Sequence, residues 1–239
     1  MDARQVAGRF AADVKAALGD RLRSIVLYGS AVRNEWLEAG SDINVLVLLD
    51  DISGASLAAL SPVVRRFAGE RVRPIVVEER EWARAADVFG IELAEMQDWH
   101  ALLAGTDPLM GLLVQRPALR LQAERELRGK LLQLQAAMLL AESPAQLGSL
   151  LLGSLPALAT YFRAALRLAG HPVSADTERT LREGCDLVGA DPVGLLAVLQ
   201  ARRGGKGLEL KLQDPLVDQF NTAAEQLTGY IDNFGREQS

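Results

Sequence analysis

The chain has 239 residues, 26 basic and 31 acidic side chains for a net charge of −5, 49% hydrophobic residues and a mean hydropathy of +0.09. That length accommodates one large or two modest domains, and that apolar content excludes a disordered chain. A pI of about 5.2 argues against sequence-independent binding to DNA or RNA, which needs a basic footprint.

In chain order, Val6, Phe10, Val14 and Leu18 recur every four residues and predict an amphipathic helix ending at Gly19. Its charges at Asp2, Arg4, Arg9, Asp13 and Lys15 stand where a secretory leader would be apolar. Residues 24–28 (SIVLY) read as a strand that stops at a Gly29-Ser30 turn. A loop, 33–40, carries Trp36, whose ring either packs the loop or stacks on a base. A second strand starts at Asp42 and runs apolar to Leu49, as a strand covered on both faces does. Alternation then puts Asp42 and Asn44 on the same face, two oxygen donors at a strand's start. Asp50 and Asp51 close that strand and cap the next helix, for which Leu57, Leu60, Val64 and Phe67 supply a face.

Residues 72–77 form a third strand in which Pro74 points to an edge. Residues 78–86 read as a turn or short helix, and 89–96 (FGIELAEM) as a fourth strand with Glu92 between Ile91 and Leu93. His100 reads as a surface or capping residue. Gly105-Thr106-Asp107-Pro108 marks a break, with Asp107 as N-cap and Pro108 opening a helix. Beyond it every segment is helical: a stripe of Leu127, Leu131, Leu134 and Met138, with Arg116, Arg120, Arg125, Arg128 and Lys130 making a basic face; a long helix from Ser143-Pro144 with Leu147, Leu151, Leu155, Leu158, Phe162 and Leu166; then helices around Cys185, from Asp191-Pro192, and through Leu216, Phe220, Ala223, Leu227, Ile231 and Phe234. Cys185 is the one cysteine, so no intrachain disulfide forms, and it reads as a small buried side chain. The stretch 147–159 is too short and too interrupted by Gly148, Gly153, Ser154 and Pro156 to span a membrane, so the expectation is a soluble cytoplasmic protein.

Gly29-Ser30, eleven residues, then Asp42-Ile43-Asn44 resembles the signature of the nucleotidyltransferase superfamily, polymerase-beta-like and kanamycin-nucleotidyltransferase-like. Leu27-Tyr28 and Ala31-Val32-Arg33 resemble that family's usual neighbourhood. The resemblance implies that Gly29 and Ser30 hold the triphosphate of a nucleoside triphosphate, that Asp42 and Asn44 bind Mg²⁺, and that a third carboxylate completes the site. Glu92 is the first candidate for that carboxylate, as metal ligand or base, and Glu78 the second. Arg33 would offer charge to a phosphate. The chemistry suits the residues: in-line displacement at phosphorus needs charge neutralised and reactants aligned, and Mg²⁺ asks for hard oxygen ligands. Gly lets the backbone approach phosphate.

Asn44 departs from the family's second aspartate. An amide brings no charge, and if about 3 kcal/mol of the lost attraction survives solvation, metal affinity falls by roughly two orders of magnitude. The expected fold class is therefore α/β, a mixed-sheet nucleotidyltransferase-like domain over 1–105 followed by an all-α bundle over 106–239, similar to the kanamycin nucleotidyltransferase arrangement. The expected activity is Mg-dependent transfer of a nucleotidyl group to an unidentified acceptor, reduced or lost through Asn44. The alternative is an inactive descendant used for nucleotide binding or protein interaction. The resemblance also admits a homodimer.

Overall fold

The computed structural model describes residues 2–33, 35, 36, 41–82, 84, 86 and 88–235, so residues 34 and 37–40 of the predicted loop lie outside the described residues. By contacts within the chain it divides into two compact units, Met1–Gln115 and Arg116–Ser239.

The first unit opens with α1 (Ala3–Leu18), whose start is capped by the Asp2 carboxylate accepting from the Arg4 N–H and whose end is Gly19. Then come β1 (Leu22–Tyr28), β2 (Ile43–Leu49), α2 (Gly54–Phe67), β3 (Val72–Glu78), α3 (Glu79–Trp82), α4 (Gly90–Asp98) and β4 (His100–Gly105). The strands lie in the order β3-β2-β1-β4, antiparallel except for the parallel β2–β3 pair that α2 connects. Pro74 is tolerated because β3 is an edge. Alternation sends Ile25, Leu27, Ile43, Val45, Val47 and Leu49 to one face, where Val6, Phe10, Val14, Leu60 and Phe67 of α1 and α2 cover them. Val26, Leu46 and Leu48 point to the other face, beneath Trp82, Leu93, Met96 and Leu109. Every β2 residue except Asn44 is buried, as a doubly covered strand requires. In α2 the buried face is Ser56, Leu60, Val63 and Phe67, whereas Leu57, predicted to face inward, is 46% exposed.

Two elements differ from the sequence expectation. Residues 89–96 are not a strand: Gly90–Asp98 is α4, with Ile91, Leu93, Ala94 and Met96 buried. The fourth strand is instead His100–Gly105, paired to β1. A short apolar run cannot reveal its own period, so the swap reflects a signal too short to decide between helix and strand. Asp107 does not begin a helix either; its carboxylate accepts from the Leu109 N–H in a tight turn, an alternative that Asp-Pro favours equally.

The second unit contains α5 (Arg116–Leu139), α6 (Pro144–Ala169), α7 (Thr177–Val188), α8 (Val193–Arg203) and α9 (Pro215–Asn233). By length and composition α6 would pass for a membrane span, yet its apolar face, Leu147 through Leu166, is the buried centre of this unit. Ser143 caps its start and left-handed Gly170 ends it. A Cβ on Gly184 would stand 2.5 Å from Phe162 Cδ1, so α7 lies against α6 only because that position is bare. Arg120 and Arg128 of the predicted basic face are paired with Glu124, and Arg128 with Asp232 as well.

Cys185 is fully buried on α7, and burial, with Asp186 and Asp191 adding, pushes its thiol up to about 12. The unfolded thiol ionises near 8.5, so from about there upward the unfolded chain releases a proton that the folded chain keeps. Stability of the second unit should therefore fall between roughly pH 8.5 and 12, by at most about 1.4 kcal/mol per pH unit, and be indifferent to this group below that window. Urea midpoints on either side of pH 9, with alkylation blocked in the native state at pH 8 and rapid in urea, check this.

Candidate functional site

β1 ends at Tyr28 and the chain turns at once through a 3-10 turn, Gly29–Ala31. Gly29 has φ +80°, backbone that suits glycine, and a Cβ there would also stand 3.0 Å from Asn44 Nδ2. The Gly29 carbonyl accepts from the N–H groups of Val32 at 3.1 Å and Arg33 at 3.3 Å, which holds the turn closed. The Gly-Ser turn and the Asn44 amide are thus neighbours across the β1–β2 pair.

Asp42 stands immediately ahead of β2. Its carboxylate accepts from Arg71 Nε at 3.1 Å, and Arg73 Nε lies 3.8 Å away. Arg73 is the in-register partner of Asn44 on β3. Sequence reasoning passed over both arginines. The available signal was Arg71-Val72-Arg73 ahead of an apolar run, the same two-residue spacing as Asp42-Ile43-Asn44, but it carries meaning only once β2 and β3 are known to be parallel and in register.

In-register partners continue across the sheet: Arg73, Asn44, Tyr28 and His100, one from each strand. Tyr28 packs beside the second core, and burial first, then the Glu92 carboxylate, raise its phenol above the usual range. The Glu92 carboxylate acts electrostatically on Tyr28 of this row, although it arrives from the first turn of α4 and not from a strand. Glu78 does not: it pairs with Leu49 at the far end of β3, roughly 20 Å from Asp42 at about 3.3 Å per residue, and binds Arg80 at 2.6 Å. His100 places Nδ1 2.8 Å from the Met96 carbonyl and Nε2 3.2 Å from Asp107 Oδ2, which ties β4 to α4 and to the following turn.

Arg33 follows the turn and is engaged from several sides. Its Nη1 donates to Glu95 Oε2 at 3.0 Å, Glu35 lies at 3.9 Å, and its guanidinium sits 5.7 Å from the Trp99 ring centre. Side-chain exposure is only 11% for Arg33 and 9% for Glu95. Trp36 donates from Nε1 to the Ser41 carbonyl at 3.2 Å and packs on the first core, the loop-packing alternative of the two.

As a magnesium centre this donor set does not fit. Among the described residues no group of three His, Cys, Asp or Glu side chains is placed to hold a metal. The one carboxylate at the strand start already faces two guanidinium groups, and its neighbour Asn44 is neutral.

No protein-family model matches the sequence, and no curated protein matches it. Among solved structures, the chain is similar to spectinomycin adenyltransferase AAD(9) from Enterococcus faecialis, determined with ATP and spectinomycin. The TM-score is 0.59 and the identity 14%, over 94% of this chain and 98% of that one. With a mixed four-stranded sheet followed by helices, this chain shares its fold with that protein.

Proposed function

We propose that the first unit binds a nucleoside triphosphate at the Gly29–Ser30 end of the sheet, and that nucleotidyl transfer to an acceptor is weak or lost. The observation that carries this reading is the Gly29–Ala31 turn seated against Asn44 at the start of β2, with Asp42 two residues before it. Support comes from the fold of a protein named an adenyltransferase, whose structure holds ATP and spectinomycin. The backbone N–H groups and hydroxyl of the turn are suited to donating to phosphate oxygens. Arg33, nearly buried against Glu95, serves to position the turn. Transfer would require the acceptor oxygen to attack the α-phosphorus as pyrophosphate leaves, and the neutral Asn44 supplies none of the charge that alignment with a metal needs. Glu92, on α4, is the group this reading assigns to take the acceptor proton, which keeps residual transfer as a second reading. A small molecule of spectinomycin's class is the acceptor that reading favours.

Calorimetric titration of the intact chain with ATP, GTP, CTP and UTP tests the proposal. Binding of at least one in the micromolar range is expected, weakened about tenfold by Ser30→Ala, the loss of one hydrogen bond to a charged group. Absence of binding at millimolar nucleotide, or indifference to Ser30→Ala, would overturn it.

A further inference from the structure

The Asp42 end of the sheet carries a cation of its own. Asp42 stands just ahead of β2 and Asn44 near its start, and the parallel register sets Arg73 beside Asn44 and Val72 beside Ile43, which brings Arg71 level with Asp42. Arg73 therefore occupies, on β3, the face that Asn44 occupies on β2, and Arg71 and Asp42 stand just ahead of the two strands. Their Nε atoms lie 3.1 Å and 3.8 Å from the same carboxylate oxygen. A divalent cation bridging Asp42 and Asn44 would have to enter beside two fixed positive charges. Two guanidinium groups against one carboxylate also leave positive charge over. It remains accessible to solvent, with side chains 40% exposed for Arg71 and 55% for Arg73, on a protein whose net charge is −5.

The backbone adds an independent observation. Arg71 has φ 62° and ψ 26°, the one non-glycine residue with positive φ among the described residues. A side chain in that region costs about 1–2 kcal/mol that glycine would not. Strain of this kind persists where the surroundings hold it, and here the side chain is held on Asp42.

We infer that Arg71 and Arg73 stand in for the divalent cation of a nucleotidyltransferase centre, so that this chain binds a nucleoside triphosphate through guanidinium groups and without metal. The inference rests on the nucleotide reading above. Guanidinium can fill that role because it is planar, permanently charged and able to pair two phosphate oxygens at once. Asp42 then acts as the group that orients both arginines. The phosphates would lie between the Gly29–Ser30 amides and Arg73, with Asn44 between the two.

The test is calorimetry of the full chain with ATP, once in EDTA and once in excess MgCl₂. Affinities within about threefold of one another are expected, and Arg73→Gln should weaken binding in EDTA at least tenfold while Arg73→Lys weakens it less. Both substitutions are at an exposed edge position, and unchanged tryptophan-detected urea midpoints would show that the fold is kept. Electron paramagnetic resonance with Mn²⁺ gives a second readout without nucleotide. The parent and Asn44→Asp should bind no Mn²⁺ tightly, whereas Asn44→Asp combined with Arg73→Glu, which removes the cation and lines up carboxylates, should gain a site. ATP binding that requires Mg²⁺, or an Arg73→Gln variant with parental affinity in EDTA, overturns the inference and leaves the nucleotide site standing. No ATP binding with or without metal removes the nucleotide site itself.

Discussion

Replacing Gly105 by alanine should destabilise the first unit by about 2–5 kcal/mol, the largest effect expected from so small a change. Gly105 ends β4 at φ +79°, opposite Ser24 of β1. A Cβ there would fall inside the contact radius of the Arg23 carbonyl oxygen, 2.7 Å from the Arg23 carbonyl carbon and 2.9 Å from Ser24 Cα. These are backbone atoms of a central strand and cannot swing aside as a side chain can. Left-handed backbone contributes about 1–2 kcal/mol and enforced separation of packed strands about 1–3 kcal/mol more. All three tryptophans, Trp36, Trp82 and Trp99, lie within Met1–Gln115, so tryptophan fluorescence during urea unfolding reports this unit by itself. A midpoint unchanged by Gly105→Ala would show that β1 and β4 do not approach as closely as described.

Removal of the Glu95 carboxylate is expected to cost nearly as much. Glu95→Ala leaves the Arg33 guanidinium, 11% exposed, without its 3.0 Å partner. Breaking a buried ion pair from one side typically costs about 3–5 kcal/mol, because the remaining charge is desolvated and uncompensated. Glu35 at 3.9 Å and the Trp99 ring retain part of the attraction, which places the expected loss near the lower end, about 3 kcal/mol. The double replacement Glu95→Leu with Arg33→Met should recover part of it, since two apolar side chains of similar volume remove both charges of the pair while Glu35 loses its 3.9 Å partner. Tryptophan-detected unfolding of the parent, Glu95→Leu, Arg33→Met and the double variant measures the coupling. Additive losses would mean that the two side chains do not depend on one another. The same variants probe the role of Arg33: if it positions the turn, the doubly apolar protein keeps nucleotide affinity close to that of the parent.

Much of this architecture is written in local pattern. The four-residue recurrence of Val6, Phe10, Val14 and Leu18 marks α1, and each of those residues is buried. The unbroken apolar run after Asn44 marks a strand covered on both faces, and the stripe from Leu147 to Leu166 marks α6. Such patterns survive because burial of one face stabilises a helix or strand wherever it ends up. Where the run is short the pattern fails. Residues 89–96 are helical where a strand is expected and 100–105 supply the fourth strand, because so short a run contains too few repeats and Ala and Leu in His100–Gly105 carry no β preference.

The candidate site divides in the same way. Gly29, Ser30, Asp42 and Asn44 are legible because they sit close in sequence at the ends of two strands that pair with each other. Glu92 could be nominated but not placed, since its helix meets Tyr28 only after the chain has passed through β3 and α3. Arg33 is legible as a cation next to the turn, but its nearly buried contact with Glu95 joins two side chains 62 residues apart, which no local pattern records.

Sequence alone determined which segments bury a face, where the chain turns at Gly29-Ser30, and that an amide, Asn44, stands two residues after Asp42. Tertiary structure decided what surrounds those residues: that β3 runs parallel to β2, in a register that sets Arg71 and Arg73 beside Asp42 and Asn44. The physical reason is range. Periodicity records a residue's relation to its own helix or strand, whereas strand direction and register are settled by packing between segments distant along the chain, and the charge around Asp42 depends on the second kind of information.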